Sequence, residues 1–182
     1  MFDLMIRGAT LPDGRTGIDI AVAGGKIADL GPGLAGDAAL NVVANPLVNI
    51  TLQGRDDGYP KRRGMARVPE LMAAGLTVAF DQDCVMDPWY PLGAADMLDA
   101  ASMGLHVGHM TGRDAMRACF SAVTENPARI LGLEGYGLAP GCHADLVVLQ
   151  ARDPVDAIRR RARRLRVLRR GRVIARTPPH VS

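Results

Sequence analysis

Short β-like stretches stand at both ends of this chain and helical periodicity fills the middle. That order constrains the fold more than any single motif. Leu4-Met5-Ile6, Ile18 to Val22 and Lys26 to Leu30 are apolar runs of strand length, and Gly24-Gly25 between the last two reads as a tight hairpin turn. Gly31 to Ala39 is rich in Gly, Ala and Pro, has no periodicity and reads as a connector. Val42 to Ala44 reads as a short buried strand, after which Asn45-Pro46 opens a long polar loop ending near Lys61-Arg62-Arg63. Val68 to Ala74 is predicted helical, with Pro69 in its first turn and Gly75 as its stop.

Leu76 to Phe80 is again a strand-like run. Ala94 to Leu105 then sets Met97, Leu98, Ala101 and Leu105 at helical spacing. Thr111 and Asp114 read as a capping box for a helix whose apolar face is Ala115, Met116, Cys119, Phe120 and Val123. A third helix is predicted over Asn126 to Leu131, between Pro127 in its first turn and Gly132 past its end. The β pattern returns at Leu146 to Leu149. It continues as a hairpin, Leu165 to Val167 and Arg172 to Ala175 around Arg170-Gly171. With 182 residues the chain can bury one core, yet it is shorter than most closed α/β barrels, which take about 250.

The net charge of +3 hides an asymmetry: Arg159 to Arg176 holds ten Arg and no acid, leaving twelve basic against nineteen acidic residues elsewhere. Such a stripe is the footprint of a polyanion site or of a charged edge strand that blocks edge-to-edge pairing. No aromatic residue interleaves the arginines for base stacking, so the edge-strand reading is preferred and nucleic acid is set aside. No apolar run reaches the roughly 20 residues a bilayer needs, and the start carries Asp3 without a basic region and apolar stretch. The expectation is a cytoplasmic protein without a membrane partner. Cys84, Cys119 and Cys142 are odd in number and widely spaced, which predicts free thiols.

Phe80-Asp81-Gln82-Asp83-Cys84-Val85-Met86-Asp87-Pro88-Trp89-Tyr90 follows the second strand, where an α/β enzyme keeps catalytic carboxylates. A plain turn would favour Gly, Asn and Ser over this acidic run. Further blocks accompany it in order: Asn45 to Ile50, Leu52 to Arg55, Tyr59 to Gly64, Asp87 to Gly93, and Met103 to Val107. Together they resemble bacterial cytosine deaminase of the amidohydrolase superfamily. Asn126 to Leu131 and Gly141 to Leu149 are similar to that superfamily's late helix and its return into a small β-sandwich, and Met1 to Leu30 to the first part of that sandwich.

The resemblance implies a (β/α)8 barrel holding one divalent metal, zinc or iron, whose bound water becomes the attacking hydroxide. By position Asp83 matches the last-strand Asp that binds metal and moves the proton, and Trp89 matches a residue lining the pyrimidine pocket. Gln82 stands where the family has His. Cys84 stands where it has a second Asp, as a substrate-binding position rather than a nucleophile, because neighbouring acids raise a thiol pKa. Asp87 before Pro88 reads as a turn former carrying Trp89.

Only about a dozen residues separate the first sandwich strands from the strand similar to the seventh of the barrel, less than the crossovers of six further strands require. With those strands would go the His-x-His pair, the other metal His residues and the Glu that shuttles the proton. His106, His109, His143 and His180 match none of these positions. The expected fold class is therefore α/β: an incomplete amidohydrolase barrel over residues 41–139, keeping the last two βα units, with a small β-sandwich from residues 1–40 and 140–182. The expected function is cytosine deaminase-like hydrolysis of a ring carbon-nitrogen bond in an aminated heterocycle, releasing ammonia. An internally deleted chain of this kind, lacking most of the metal ligands, is expected to be inactive alone, and whether it holds a metal is left open. The alternatives are a non-catalytic partner pairing with a second copy, or with an intact homologue, through open edges at Val42 to Ala44 and Leu76 to Phe80, and a polyanion binder using Arg159 to Arg176; a homo-oligomer is the expectation for the first.

Overall fold

Gly24 and Gly25 adopt φ values of 59° and 72°, the left-handed pair that a two-residue hairpin demands, and they close the turn as the sequence predicts. The computed structural model describes residues 2–34 and 41–180, so the later part of the predicted Gly31 to Ala39 connector lies outside the described residues. The chain divides into two units, Met1–Asn41 and Val42–Ser182. In the first, β1 (Leu4–Ala9), β2 (Ile18–Ala23) and β3 (Lys26–Gly31) form an antiparallel sheet in that order. Buried Asp19 ties it together, accepting from Gly8 N at 3.0 Å, Leu34 N at 3.1 Å and Arg7 Nη1 at 2.8 Å. These donors, the Gly8 amide first, hold its carboxyl below the ordinary range.

The second unit contains β4 (Asn41–Ala44), α1 (Pro46–Leu52), α2 (Val68–Ala73), β5 (Thr77–Phe80), α3 (Met97–Val107), α4 (Arg113–Ser121) and α5 (Glu125–Ile130). It continues through β6 (Leu146–Leu149), α6 (Pro154–Arg160), β7 (Arg164–Arg169) and β8 (Arg172–Arg176). Three sequence expectations change. The stretch after Asn45 begins as helix, not loop, because Pro46 sits at the first helical position, where it needs no N–H donor, and Leu47 and Val48 are buried. Thr111 does not cap α4: Gly112 occupies the N-cap without a side-chain bond, and Asp114 contributes only its charge to the first turn. Helix α6 went unpredicted, although Asp153 caps it by accepting from Asp156 N at 2.8 Å and Pro154 starts it.

One apolar core serves this unit. Phe80, Val78 and Val68 are its largest fully buried apolar residues, joined by Leu98, Ala101 and Leu105 of α3, Cys119 of α4, and Ala157 and Ile158 of α6. Gly104 lets α3 lie on the Phe80 ring, since a Cβ there would stand 2.5 Å from Cε2.

Strands β4 and β5 are hydrogen-bonded neighbours. Asp81 N donates to Ala44 O at 3.0 Å, which brings the C-terminal ends of both strands together as in a parallel pair. Backbone groups alternate sides along a strand, so Val78 O and Phe80 N point away from β4. That edge is not open: Phe80 N donates to Ala122 O at 2.8 Å, and Val78 O accepts from Asn126 Nδ2 at 2.7 Å. The expectation of a bare edge at Leu76 to Phe80 is thereby corrected, because the α4–α5 junction of the same chain fills it.

Strands β6, β7 and β8 form a second antiparallel sheet in that order, with the β7–β8 turn at Arg170 and Gly171 (φ 49° and 76°) as predicted. Much of the arginine stripe is engaged by the chain's own acids. Arg159 and Arg160 face Asp156, Arg161 faces Asp99, Arg164 faces Asp96 and Arg169 faces Asp145. Among the described residues no helix is long and apolar enough to cross a membrane.

Candidate functional site at the strand ends

The parallel alignment of β4 and β5 delivers the segments that follow both strands to one edge, the position where open α/β sheets hold their ligands. Beyond Phe80 the backbone turns sharply: Cys84 N donates to Gln82 O at 2.8 Å, with Asp83 between them at φ 63°. This is the γ-turn form that is rare and strained for an L-residue, and such outliers concentrate where chemistry or binding needs a fixed geometry. Asp83 is exposed at the tip of that turn. Asp81, also exposed, accepts from Gln82 N at 2.8 Å. Gln82 itself is only 5% exposed, and its buried Oε1 has no hydrogen-bond partner.

The following loop is pinned by Asp87, whose Oδ1 accepts from Trp89 N at 3.0 Å and Tyr90 N at 2.9 Å. Tyr90 enters the core and Trp89 stays 61% exposed. Asp87 is thus the turn former that the sequence predicts. The Cys84 thiol, half-buried, is pushed up to about 11 by its hydrogen bond to Asp87, then by burial and by the charges of Asp87 and Asp83, while that bond holds the Asp87 carboxyl low. A thiol with this pKa is almost wholly protonated near neutrality and makes a poor nucleophile. Alkylation of Cys84 by iodoacetamide at pH 8, followed by peptide mapping, should run roughly ten- to a hundredfold slower than for a free cysteine of pKa about 8.5, its small thiolate fraction being partly offset by greater nucleophilicity. A rate near that of free cysteine would show that Asp87 does not hold the thiol.

The structure brings Asp83, Cys84 and Trp89 onto one loop, and it brings no metal-binding set to Asp83. Among the described residues no group of three or more His, Cys, Asp or Glu is placed to hold a metal ion. His106 Nδ1 donates to Ser102 O at 2.6 Å within α3, His143 sits against Arg170 Nη1, and His180 N donates to Gln150 Oε1 at 2.9 Å. A cleft of about 350 Å³ between α5 and the segment Gly132 to Gly137 is lined by neither Asp83, Cys84 nor Trp89. Sequence reasoning missed Arg55, which reaches across from the segment after α1 and donates from Nη2 to Trp89 O at 3.2 Å. A contact 34 residues apart leaves no local signal.

The amidohydrolase family pattern matches residues 28–175. A pterin deaminase from Rhizobium rhizogenes is 34% identical over 148 residues, covering 80% of this chain and 33% of the relative. A crystal structure of 5-methylcytosine deaminase from Klebsiella pneumoniae, liganded with 5-fluorocytosine, is similar with a TM-score of 0.74 and 46% identity, over 80% of this chain and 36% of that one. N-isopropylammelide isopropylaminohydrolase from Burkholderia multivorans gives a TM-score of 0.60 and 34% identity, over 64% of this chain and 30% of that one. The chain spans about a third of the length of each of these relatives.

Proposed function

From membership of the amidohydrolase family, to which this chain belongs, we propose that it is an internally deleted deaminase of a pyrimidine-like aminated heterocycle, keeping about a third of the length of its relatives. The observation that carries this reading is the 46% identity, at a TM-score of 0.74, to a 5-methylcytosine deaminase over 80% of the chain. Its relatives are amidohydrolases and deaminases, so the lineage is enzymatic. In this reading Asp83 takes the position of the carboxylate that binds metal and moves the proton, and Trp89 and Cys84 border the ring of the heterocycle. Its setting supports the assignment of Asp83: an exposed carboxylate on a strained turn at the shared end of β4 and β5.

The residues present do not fit the metal of that chemistry. Making hydroxide from water takes a cation held by about three protein ligands, and among the described residues no group of three or more His, Cys, Asp or Glu is placed to hold one. The reading therefore includes an internal deletion after the first sheet and a chain that does not turn over substrate alone. Elemental mass spectrometry of the protein after chelator treatment and incubation with zinc or iron tests the central point. Metal at background, with no ammonia released from cytosine or 5-methylcytosine, is the expected result. Near-stoichiometric metal would overturn it and show that Asp83 has partners.

A second reading has one observation in its favour. Strand β4 has β5 on one side and no strand on the other among the described residues, and its residues Asn41-Val42-Val43-Ala44 carry none of the charges that guard edge strands. Pairing of β4 with a second copy would appear in sedimentation as a dimer that dissociates on dilution.

A further inference from the structure

The segment between α1 and α2 is closed more firmly than a solvent-exposed loop requires. The Asp57 carboxylate accepts from Arg62 Nε and Nη2, both at 2.6 Å, the two-pronged geometry that makes Arg–carboxylate pairs specific. Lys61 Nζ donates inward to Arg55 O at 2.6 Å and Asp57 O at 2.9 Å. Gly54, at φ 65°, is pressed against the Arg62 backbone, so that a Cβ there would run into the Arg62 carbonyl oxygen, and Gly64 lies as tightly against the Gln53 side chain. The ends of the segment therefore meet, as in a compact Ω-loop packed by its own side chains. It reaches outside itself toward the site through the bond from Arg55 Nη2 to Trp89 O.

We infer that Arg55 is a positioning residue that sets the placement of Trp89, and that the closed loop Gln53–Gly64 holds Arg55 for that task. Asp87 fixes the Trp89 amide from within its own turn, Tyr90 anchors the next residue in the core, and Arg55 holds the Trp89 carbonyl from the neighbouring strand's loop. Three restraints on successive backbone groups leave the exposed indole as the free end of a fixed backbone. The guanidinium is suited to this because its planar fork loses little freedom per bond formed. The inference deepens the proposed function, in which the Trp89 ring borders the heterocycle.

Trp89 is the sole tryptophan, so labelling with 5-fluorotryptophan yields one fluorine NMR resonance that reports on this loop. Arg55→Ala should move that resonance by more than its linewidth. Arg62→Ala, which loosens the closed loop without touching Trp89, should move it in the same direction, and Arg55→Lys should lie between Arg55→Ala and the parent. The thermal midpoints should stay at the parent value, since Arg55 and Arg62 are exposed. A resonance in Arg55→Ala superimposed on that of the parent overturns the inference; should Arg55→Ala fail to fold, an unmoved resonance in Arg62→Ala overturns it alone. Addition of cytosine to the parent separates the two claims. If cytosine leaves the resonance unmoved while the Arg55 and Arg62 variants shift it, the positioning role stands and the heterocycle reading falls.

Discussion

Replacing Phe80 by alanine should cost about 3–5 kcal/mol, the range for removing a fully buried aromatic ring from a packed core. Phe80 is 1% exposed and lies at the end of β5, under α3 at Gly104. The loss would take a large share of a total stability of about 5–15 kcal/mol. Urea titration followed by circular dichroism would show it as a fall in midpoint at unchanged slope. The converse change, Gly104→Ala, places a methyl 2.5 Å from the ring and should cost about 1–3 kcal/mol through overpacking. Combining the two should cost less than their sum, because the new methyl enters the space the ring leaves and neighbouring sites couple. An additive result, or a loss under about 1 kcal/mol for Phe80→Ala, would mean that α3 does not rest on this ring.

The second large effect is expected at Asp96. Its carboxylate caps α3 by accepting from Leu98 N at 2.8 Å, and it pairs with both terminal nitrogens of Arg164, at 2.9 Å and 2.5 Å, tying α3 to β7 across 68 residues. Losing the cap costs about 1 kcal/mol. Losing a half-buried, two-pronged ion pair adds about 1–2 kcal/mol once solvent screening is allowed for. Asp96→Ala should therefore cost about 2–3 kcal/mol, and Asp96→Asn less, since an amide oxygen can still cap the helix. Equal losses in the two variants would assign the whole effect to the ion pair.

The same substitution should alter the acid side of the stability curve. Burial, and then the charge of Asp96, push the Asp99 carboxyl above its ordinary range, with Arg161 opposing. A group with a raised folded-state pKa binds its proton more tightly when folded, so it regains stability as pH falls through that value. In Asp96→Ala that regain should shrink, because one of the causes is gone.

The features legible in the sequence are those whose cause is local. Gly24-Gly25 and Arg170-Gly171 announce their hairpins because the turn geometry itself selects such residues, and Gly132, at φ 61°, marks the end of α5 for the same kind of reason, with Pro127 inside that helix's first turn. Asn45-Pro46 misled because one dipeptide serves both a turn and a helix start, and only the burial of Leu47 and Val48 decides between them. Helix α6 carried a local signal in Asp153-Pro154, overshadowed by the arginines that follow. At the site, the run from Asp81 to Tyr90 marks the loop. The Arg55 bond to Trp89 and the tie between Asn126 and Val78 depend on chain reversals that no window of sequence contains.

The Asn126 tie also sets a schedule for synthesis. Val78 waits for a residue 48 positions later in the chain, and at about 5–20 residues per second that is a delay of several seconds on the ribosome. Through that interval a nascent β5, made of Thr77-Val78-Ala79-Phe80, has the composition of a sticky strand and an uncovered side. Translation speed between codons 80 and 126, and the chaperones present while it proceeds, should therefore govern the yield of soluble product more strongly than the same factors acting after Asn126 has emerged.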